Sequence, residues 1–477
     1  MHRRYWTPVA ALVALATLTG TANAEPDTGP TFTQIKSEQA GNTAQALPDT
    51  PGPGPNVVVI ITDDQAKGTL DAMPNVRNLI RDRGVTLETG IIPTSLCCPS
   101  RTALLSGKLS HTTGVYENLG PNGGWSTFNS SGAENNTIAT ALDAAGYRTA
   151  MLGKYLNGYA LADPAYVPPG WDTFRAIQDD TGNPALAAGA YFNYTLHGTG
   201  PDQFYGTRAA DYSTDVLTDL AVDFIQTTPT DQPFLLYYST SGGHAPFTPA
   251  PRHAGTWQPE NLPPSVTQLT SQRPSFWPDD TLPYGVQQER LRQQHEALRS
   301  VDDGVGRIVN ALGNRASNTL FVYLSDNGLQ FGEHGLANKN VPYAGSTEVP
   351  MMLRWNNRIL PGTTYTKPVT NVDLTATIAD ATGVAMNGEG VSYFAANRPN
   401  GVLLEATASD EHPAYCGWRT ERWLFVEYDN VNRRELYDYD NDPNELTNKA
   451  PDNQTRVDEL RALAQNACTP TPPGFTW

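Results

Sequence analysis

Asp63-Asp64, Cys97-Cys98, Arg101, Lys154, His244, Asp326-Asn327 and Lys339 are the residues of this sequence whose types could do chemistry together. Asp63, Asp64, Asp326 and Asn327 offer hard oxygen donors, suited to Ca2+ or Mg2+ and poor for zinc. No His-x-x-x-His or His/Cys cluster accompanies them. Three carboxylates around one divalent cation leave a modest negative charge, which Arg101, Lys154 and Lys339 would reverse. Such a pocket binds a tetrahedral oxyanion and stabilises charge that develops on it. Cys97 and Cys98 precede Pro99, which suits a first helical position, and Gly107 can end that helix. A side chain at position 97 would then lie near unpaired backbone N–H groups at the positive end of a helix dipole. The plainer alternative is a buried thiol pair in front of an ordinary helix.

The elements that must position these residues repeat one pattern. Asn56 to Thr62 is a continuous apolar run, as in a strand buried on both faces, and Asp63 follows it. Pro74 to Arg83 reads as a helix with Val76, Leu79 and Ile80 on one face and Gly84 as its stop. Ile138 to Ala145 is helical, and Arg148 to Leu152 is a strand with Lys154 just beyond it. Thr214 to Gln226 is a helix with Val216, Leu220 and Phe224 inward; Phe234 to Tyr238 is a strand that leads to His244. Val286 to Leu312 is a long helix, and the strand Leu320 to Leu324 leads to Asp326-Asn327-Gly328. Strand and helix alternating in this way predict an α/β sheet, and ligands bind at the carboxyl edge of such sheets. Any one polar residue there could be loop chemistry; Asp63, Lys154, His244 and Asp326 fall there together.

Between His244 and the long helix lies a Pro-rich stretch of about 40 residues with Trp257, Pro263, Pro264, Phe276, Trp277 and Pro278. It reads either as a substrate-facing wall or as surface padding. Val372 to Ile378 is the last helix of the large part. Trp423 to Tyr428 and Glu435 to Tyr439 then alternate like a hairpin around Asp429-Asn430. With a closing helix from Arg456 to Ala464, they predict a small antiparallel subdomain.

At 39% hydrophobic and 17% charged residues, the chain has the composition of a soluble globular protein, and 38 Pro and 41 Gly imply many loops. Arg3-Arg4, the apolar run Val9 to Leu18 and Ala22-Asn23-Ala24 match a cleaved export signal. The predicted location is therefore secreted, periplasmic or extracellular, with no membrane attachment after cleavage. Glu25 to Pro55, ending Pro-Gly-Pro-Gly-Pro, reads as a linker. The formal charge is −17, and −19 once Arg3 and Arg4 are removed. An acidic surface argues against nucleic acid as a partner and against a long polyanion held along a groove. In an exported chain, Cys416 and Cys468 are the natural disulfide, worth roughly 4 kcal/mol by loop-closure entropy. Cys97 and Cys98 then remain as adjacent reduced thiols in an oxidising compartment.

Cys97-Cys98-Pro99-Ser100-Arg101, followed by Leu105-Ser106-Gly107, resembles the Cys-x-Pro-Ser-Arg…Leu-Thr-Gly motif of type I sulfatases. Gly146 to Asn157 is similar to that family's second motif. It has the Gly-Lys-Tyr-Leu-Asn form found in the branch of N-acetylglucosamine-6-sulfatases and extracellular heparan endosulfatases. Val167-Pro168-Pro169-Gly170-Trp171, Tyr191-Phe192-Asn193-Tyr194-Thr195 and Ser300-Val301-Asp302-Asp303 resemble the same branch. The likeness runs from about Asn56 to Val391, with a weaker match at Leu436-Tyr437-Asp438.

The resemblance implies an α/β fold with a large mixed β-sheet flanked by helices, alkaline-phosphatase-like, and a smaller C-terminal antiparallel-sheet subdomain. Its implied divisions are a signal peptide at 1–24, a linker at 25–55, a catalytic domain at 56–400 and the C-terminal subdomain with its closing helix at 401–477. It implies a sulfuric ester hydrolase in which a formylglycine-generating enzyme converts Cys97, leaving Cys98 inert. Asp63, Asp64, Cys97, Asp326 and Asn327 match the metal set, for Ca2+ with Mg2+ as alternative. Arg101, Lys154 and Lys339 match positions that hold sulfate and stabilise the formylglycine, and His244 the histidine near the leaving oxygen. The implied substrate is a small sugar or aryl sulfate. Two positions depart from the family: Leu156 stands where many sulfatases have the histidine of Gly-Lys-x-His, and Gly328-Leu329-Gln330 replaces the Gly-Tyr-His of the glucosaminyl enzymes. His111 and His334 are the remaining histidines considered for the Leu156 gap. The competing readings are a phosphate or phosphonate monoester hydrolase of the same superfamily and an inactive glycan-binding relative.

Overall fold

The run Asn56–Thr62 becomes strand β1, buried along its whole length, because it lies at the centre of a ten-stranded sheet with helices over it. The computed structural model describes residues 54–477 apart from 160–165, 179–189, 269–273, 278–281, 410–411 and 430–432. The predicted export signal and residues 25–53 of the predicted linker lie outside the described residues, as do Pro278 and Asn430.

The strands after β1 are β2 (Val85–Leu87), β3 (Gly90–Ile91), β4 (Arg148–Gly153), β5 (Thr173–Ile177), β6 (Tyr194–Gly198), β7 (Gln203–Tyr205) and β8 (Phe234–Ser239). They continue with β9 (Thr319–Ser325), β10 (Met351–Arg354), β11 (Thr363–Tyr365) and β12 (Val369–Thr370). The large sheet has the order β11-β2-β10-β9-β1-β8-β4-β5-β6-β7, and β12 pairs with β3 alone. β9, β1, β8, β4 and β5 run parallel, whereas β10, β6 and β7 join antiparallel, so the sheet is mixed. Parallel pairing needs long crossovers, and helices supply them.

Helices α1 (Cys97–Ser106), α2 (Ile138–Ala144), α3 (Ser213–Thr227), α4 (Tyr284–Leu312) and α5 (Asn371–Thr382) flank the sheet. Val58 and Ile60 of β1 share one core with Val216, Leu217 and Phe224 of α3 and Leu298, Val301 and Ile308 of α4. Strand alternation turns Val57, Val59 and Ile61 to the opposite face. The predicted helix at 74–83 exists, but it widens into a π-turn over Arg77–Arg81.

α1 starts two residues earlier than the proline suggested. Cys97 and Cys98 are its first two residues, and Pro99 is the third. The first four N–H groups of a helix have no intrahelical partner, so proline is tolerated at any of them. Gly107 ends α1 with φ 68°. α5 packs on α1: Asn371 Nδ2 donates to Ser100 O at 2.8 Å, and the Thr375 hydroxyl donates to Leu104 O.

The C-terminal sheet is antiparallel, in the order β13 (Gly401–Ala406), β14 (Tyr415–Thr420), β15 (Trp423–Tyr428), β16 (Arg433–Asp438). Helix α6 (Gln454–Ala467) lays Val457, Leu460 and Ala464 on Phe425 and Leu436 of one sheet face. The disulfide Cys416–Cys468 ties the end of α6 to β14. The other face packs Leu404, Leu424, Val426 and Tyr437 against Trp277, Leu336, Val341 and Tyr343 of the large part. Trp277 is therefore a core residue, and Trp257 stacks on His295 at 5.0 Å; within the Pro-rich stretch these two rings are structural. Among the described residues no helix is long and apolar enough to cross a membrane.

Candidate active site

The parallel pairing of β9, β1, β8 and β4 brings their carboxyl ends to one edge, and the loops there carry Asp63, Lys154, His244 and Asp326. Asp63 N–H donates to Gly242 O at 3.1 Å, so the loops after β1 and β8 are tied at once. Asp64 adopts φ 60°, a left-handed conformation that a non-glycine residue takes only when its surroundings fix it. Gln294 of α4 fixes it here, donating from Nε2 to both Asp64 O and Gly243 O at 2.8 Å. After β4, Gly153 (φ 112°) lets the chain pass so close to β8 that a Cβ would meet Ser239 O at 1.8 Å.

α1 aims its amino end at this edge. Cys97 Sγ lies 3.8 Å from Asp63 Oδ1 and 2.9 Å from Lys339 Nζ. Lys154 Nζ is 2.6 Å from Asp63 Oδ2, and Lys339 Nζ bonds Asp64 Oδ1. His244 Nε2 is 3.6 Å from Asp64 Oδ2. Its Nδ1 lies 2.6 Å from Ala245 O, an oxygen that only accepts, so Nδ1 carries a proton and Nε2 faces the site. Arg101 is 1% exposed: Nε donates to Asp326 Oδ2 at 2.8 Å and Nη1 to Ser239 Oγ and Lys154 O, while Nη2 lies 2.7 Å from Asp326 Oδ2 as an ion pair with no hydrogen bond among the described residues. It orders the site from beneath.

Burial works to raise the Asp63 carboxyl, but Lys154, His244 and Arg101 outweigh it and hold the group below the usual carboxylate range. Asp64 is lowered in the same way, by Lys339 and His244 against burial. Lys154 and Lys339 lose to burial less than they gain from these carboxylates, so both are raised. The thiols go the other way. Burial pushes Cys98 up to about 12 and raises Cys97 despite Lys154 and Lys339, so neither is a thiolate near neutral pH. Cys98 Sγ accepts the Asn157 N–H at 2.9 Å, and Cys98 N–H donates to Asn118 Oδ1 at 2.9 Å.

The donor set fits a hard divalent cation. Oxygen, sulfur and nitrogen atoms of Asp63, Asp64, Cys97 and His244 all lie within 4.8 Å of one another. Asn327 Oδ1 is buried with no hydrogen-bond partner among the described residues, while its Nδ2 donates to Asp64 Oδ1 at 2.7 Å. A buried amide oxygen without a partner is costly unless a cation satisfies it. Asp326 adjoins the group differently: besides Arg101, it accepts the N–H groups of Asp64 (3.1 Å) and Asn327 (2.8 Å).

Ser239, Gln294, Asn118 and Ser95 belong to the site but carried no signal in the sequence, since each acts through hydrogen bonds to distant segments that only the fold creates. His111 and His334 make their contacts elsewhere, His111 with Glu405 at 3.0 Å and His334 with Glu445 at 3.1 Å. Leu156 is a buried apolar residue.

The Sulfatase family profile matches residues 55–384, and the profile of N-sulphoglucosamine sulphohydrolase C-terminal regions matches residues 332–466. An extracellular sulfatase Sulf-1 homolog of Caenorhabditis elegans is 34% identical over 70% of this chain and 48% of its own length. The N-acetylglucosamine-6-sulfatase of Capra hircus is 31% identical over 71% of this chain and 63% of its own. The matched part thus spans about half to two thirds of these relatives. Among solved structures, a protein in complex with its substrate D-glucosamine-2-N,6-O-disulfate superposes with a TM-score of 0.68 at 22% identity, covering 87% of this chain and 97% of that one. A phosphonate monoester hydrolase of Agrobacterium radiobacter gives 0.66 at 19%, covering 86% and 94%. At these identities the likeness concerns the fold alone.

Proposed function

The chain belongs to the sulfatase family, and from that premise we propose that it hydrolyses sulfate monoesters of a compact sugar or aryl alcohol to the alcohol and inorganic sulfate. The observation that carries this reading is the meeting of Cys97 with Asp63, Asp64 and His244 within 4.8 Å, beside two lysines. Asp63, Asp64, Asp326 and Asn327 would hold Ca2+, or Mg2+ in its place, as a Lewis acid, and residue 97, converted to formylglycine and hydrated, would supply a hydroxyl nucleophile.

The chain's own residues do the rest. Lys154 and Lys339 hold the sulfate oxygens and offset their charge in a largely buried site, where a single such donor is worth about 100-fold or more. Three aspartates balance the buried Arg101 and Lys154 and the half-buried Lys339, so a divalent cation makes the pocket net positive, as an anionic substrate requires. His244, whose Nδ1–H donates to Ala245 O, presents Nε2 to the ester oxygen. When charged it donates a proton as the S–O bond breaks, so the alcohol leaves neutral. Asp326 and Arg101 hold the framework of carboxylates.

Conversion of Cys97 calls for a formylglycine-generating enzyme as maturation partner, and the export signal points to a secreted or periplasmic location. The acidic chain, at −17, favours a pocket-limited substrate over internal sulfates of a polyanion, so intact heparin is expected to be desulfated poorly. The deciding experiment is sulfate release by the mature protein, with peptide mass spectrometry at residue 97. Formylglycine at that position, and loss of activity in Cys97→Ala, are expected. An unmodified thiol in active enzyme would overturn the mechanism, and faster turnover of aryl phosphate than of aryl sulfate would move the chain to the phosphoryl branch.

A further inference from the structure

Lys339 lies in an irregular loop between β9 and the short helix Ala344–Thr347, so no ladder of backbone bonds holds it in place. Its anchors lie on either side. Asn340 N–H donates to Ser95 O at 2.9 Å, and Ser95 Oγ meets Ser346 Oγ at 2.9 Å, which ties the loop to the approach of α1, two residues before Cys97. The other anchor comes from the C-terminal subdomain. Ala344 N–H donates to Glu445 Oε1 at 3.0 Å. The Tyr343 ring stacks on His334 at 4.2 Å, and His334 Nε2 lies 3.1 Å from Glu445 Oε2. Tyr439 OH donates to Glu445 Oε1 at 2.5 Å, and Tyr343 OH donates to Glu435 Oε2 at 3.1 Å.

Glu445 is only 4% exposed, yet its carboxylate gathers three donors from three segments. His334, Asn340 and Glu445 all adopt left-handed backbone (φ 58°, 65° and 53°), as few non-glycine residues of this chain do. Such conformations persist where surrounding contacts over-determine them, and they concentrate where geometry matters for function.

We propose that Glu445 is a positioning residue: through Ala344, and through His334 stacked on Tyr343, it fixes the loop that sets Lys339 Nζ against Cys97 and Asp64. The C-terminal subdomain thereby completes the active site without touching the substrate. The catalytic consequence rests on the sulfatase reading; the mechanical one does not.

The test is a double-mutant cycle in the full chain, on kcat/KM for an aryl sulfate. Glu445→Ala is expected to cost about 10- to 100-fold, the scale of a displacement of about 1 Å at a catalytic group. Added to Lys339→Ala, it is expected to cost nothing further, because its effect runs through that lysine. Glu445→Gln, which keeps an oxygen to accept the Ala344 N–H, is expected to recover most of the loss. Losses that multiply in the two backgrounds would overturn the proposal, since they would mean a separate structural role. Should Glu445→Ala fail to fold, Tyr343→Phe, which removes the hydroxyl's bonds to Glu435 and Trp277 and keeps the ring on His334, carries the same cycle with the same non-additivity expected. Hydrogen exchange supplies a readout free of activity. Exchange at Asn340 and Ala344 is expected to quicken in Glu445→Ala or Tyr343→Phe, and to stay near the wild-type rate in Glu445→Gln, while β1 and β9 stay protected. Unchanged exchange at both amides in the first two variants would overturn the proposal; quickened exchange in a chain that releases no sulfate would refute the functional reading alone.

Discussion

Arg101 illustrates how a charge deep in the site works. Its guanidinium donates from Nε to Asp326 and from Nη1 to Ser239 Oγ and Lys154 O, with Nη2 ion-paired to Asp326 and 3.6 Å from Asp63 Oδ2, in a space that is 1% exposed. A lysine keeps the charge but has a single nitrogen, which cannot reach all of these acceptors. Arg101→Lys is therefore expected to lower stability by about 3 kcal/mol, because Asp326 is left buried and half-paired. The same substitution should abolish most sulfate release, because Asp326 also receives the Asp64 N–H and so orients that carboxylate. Urea midpoints and steady-state kinetics check the two effects separately. Cys97 and Cys98 are adjacent in sequence but separate at this scale: Cys97 faces Lys339 and Asp63, whereas Cys98 faces Asn157.

At the scale of elements, the site depends on how closely β4 and β8 approach where Lys154 leaves the sheet. Gly153 lies against Ser239 O, and Lys154 N–H donates to that same oxygen at 2.8 Å. A methyl group there would have to displace backbone as well as adopt φ 112°. Gly153→Ala is expected to cost about 3 kcal/mol or more and to move Lys154 off Asp63. Gly146→Ala is the control: its φ is 84°, but nothing lies within 4 Å, so only the backbone term of about 1 kcal/mol applies. Equal denaturation midpoints for the two variants would contradict this account. Strand and helix identities were legible in the sequence because β1, β8 and β9 are apolar throughout while α3 and α4 show helical spacing. The start of α1 was not, since proline is equally content at its first or third residue.

At the scale of the molecule, the C-terminal sheet is bound to the catalytic part by buried charge as well as by apolar packing. His111, just beyond α1, meets Glu405 of β13 at 3.0 Å. Burial works against the charged imidazole, but Glu405 outweighs it, with Glu389 adding to the effect, and the pKa is raised above the ordinary 6.5. A raised pKa means that the folded chain holds the proton more tightly than the unfolded one. This contribution is complete below the unfolded pKa and is lost as pH rises through the folded one. Tm is expected to decline as pH rises above about 6.5 and through the raised folded pKa, and His111→Gln to flatten that slope. Calorimetric scans across this range decide it; a wild-type profile as flat as that of the variant would refute the assignment.

The sequence by itself determined the alternation of buried strands and helices, the residues at each strand end and the motif around Cys97. Local pattern and spacing dictate all of these, because side-chain period and turn chemistry act over a few residues. It also carried the pairing of Cys416 with Cys468, through the expected export signal and the adjacency of the other two thiols. Tertiary structure alone decided which neighbours each group has. Gln294 reaches Asp64 from 230 residues away, Arg101 lies beneath the carboxylates, and Glu445 reaches Ala344 across 101 residues. Each is a single hydrogen bond or ion pair between distant segments, and such a bond leaves no periodicity or spacing in the chain. The two thiols with which the helix opens remain the clearest case: the order of residues made Cys97 and Cys98 neighbours, and only the folding of β1, β4 and the Lys339 loop around them set one against Asp63 and Lys339 and the other against Asn157.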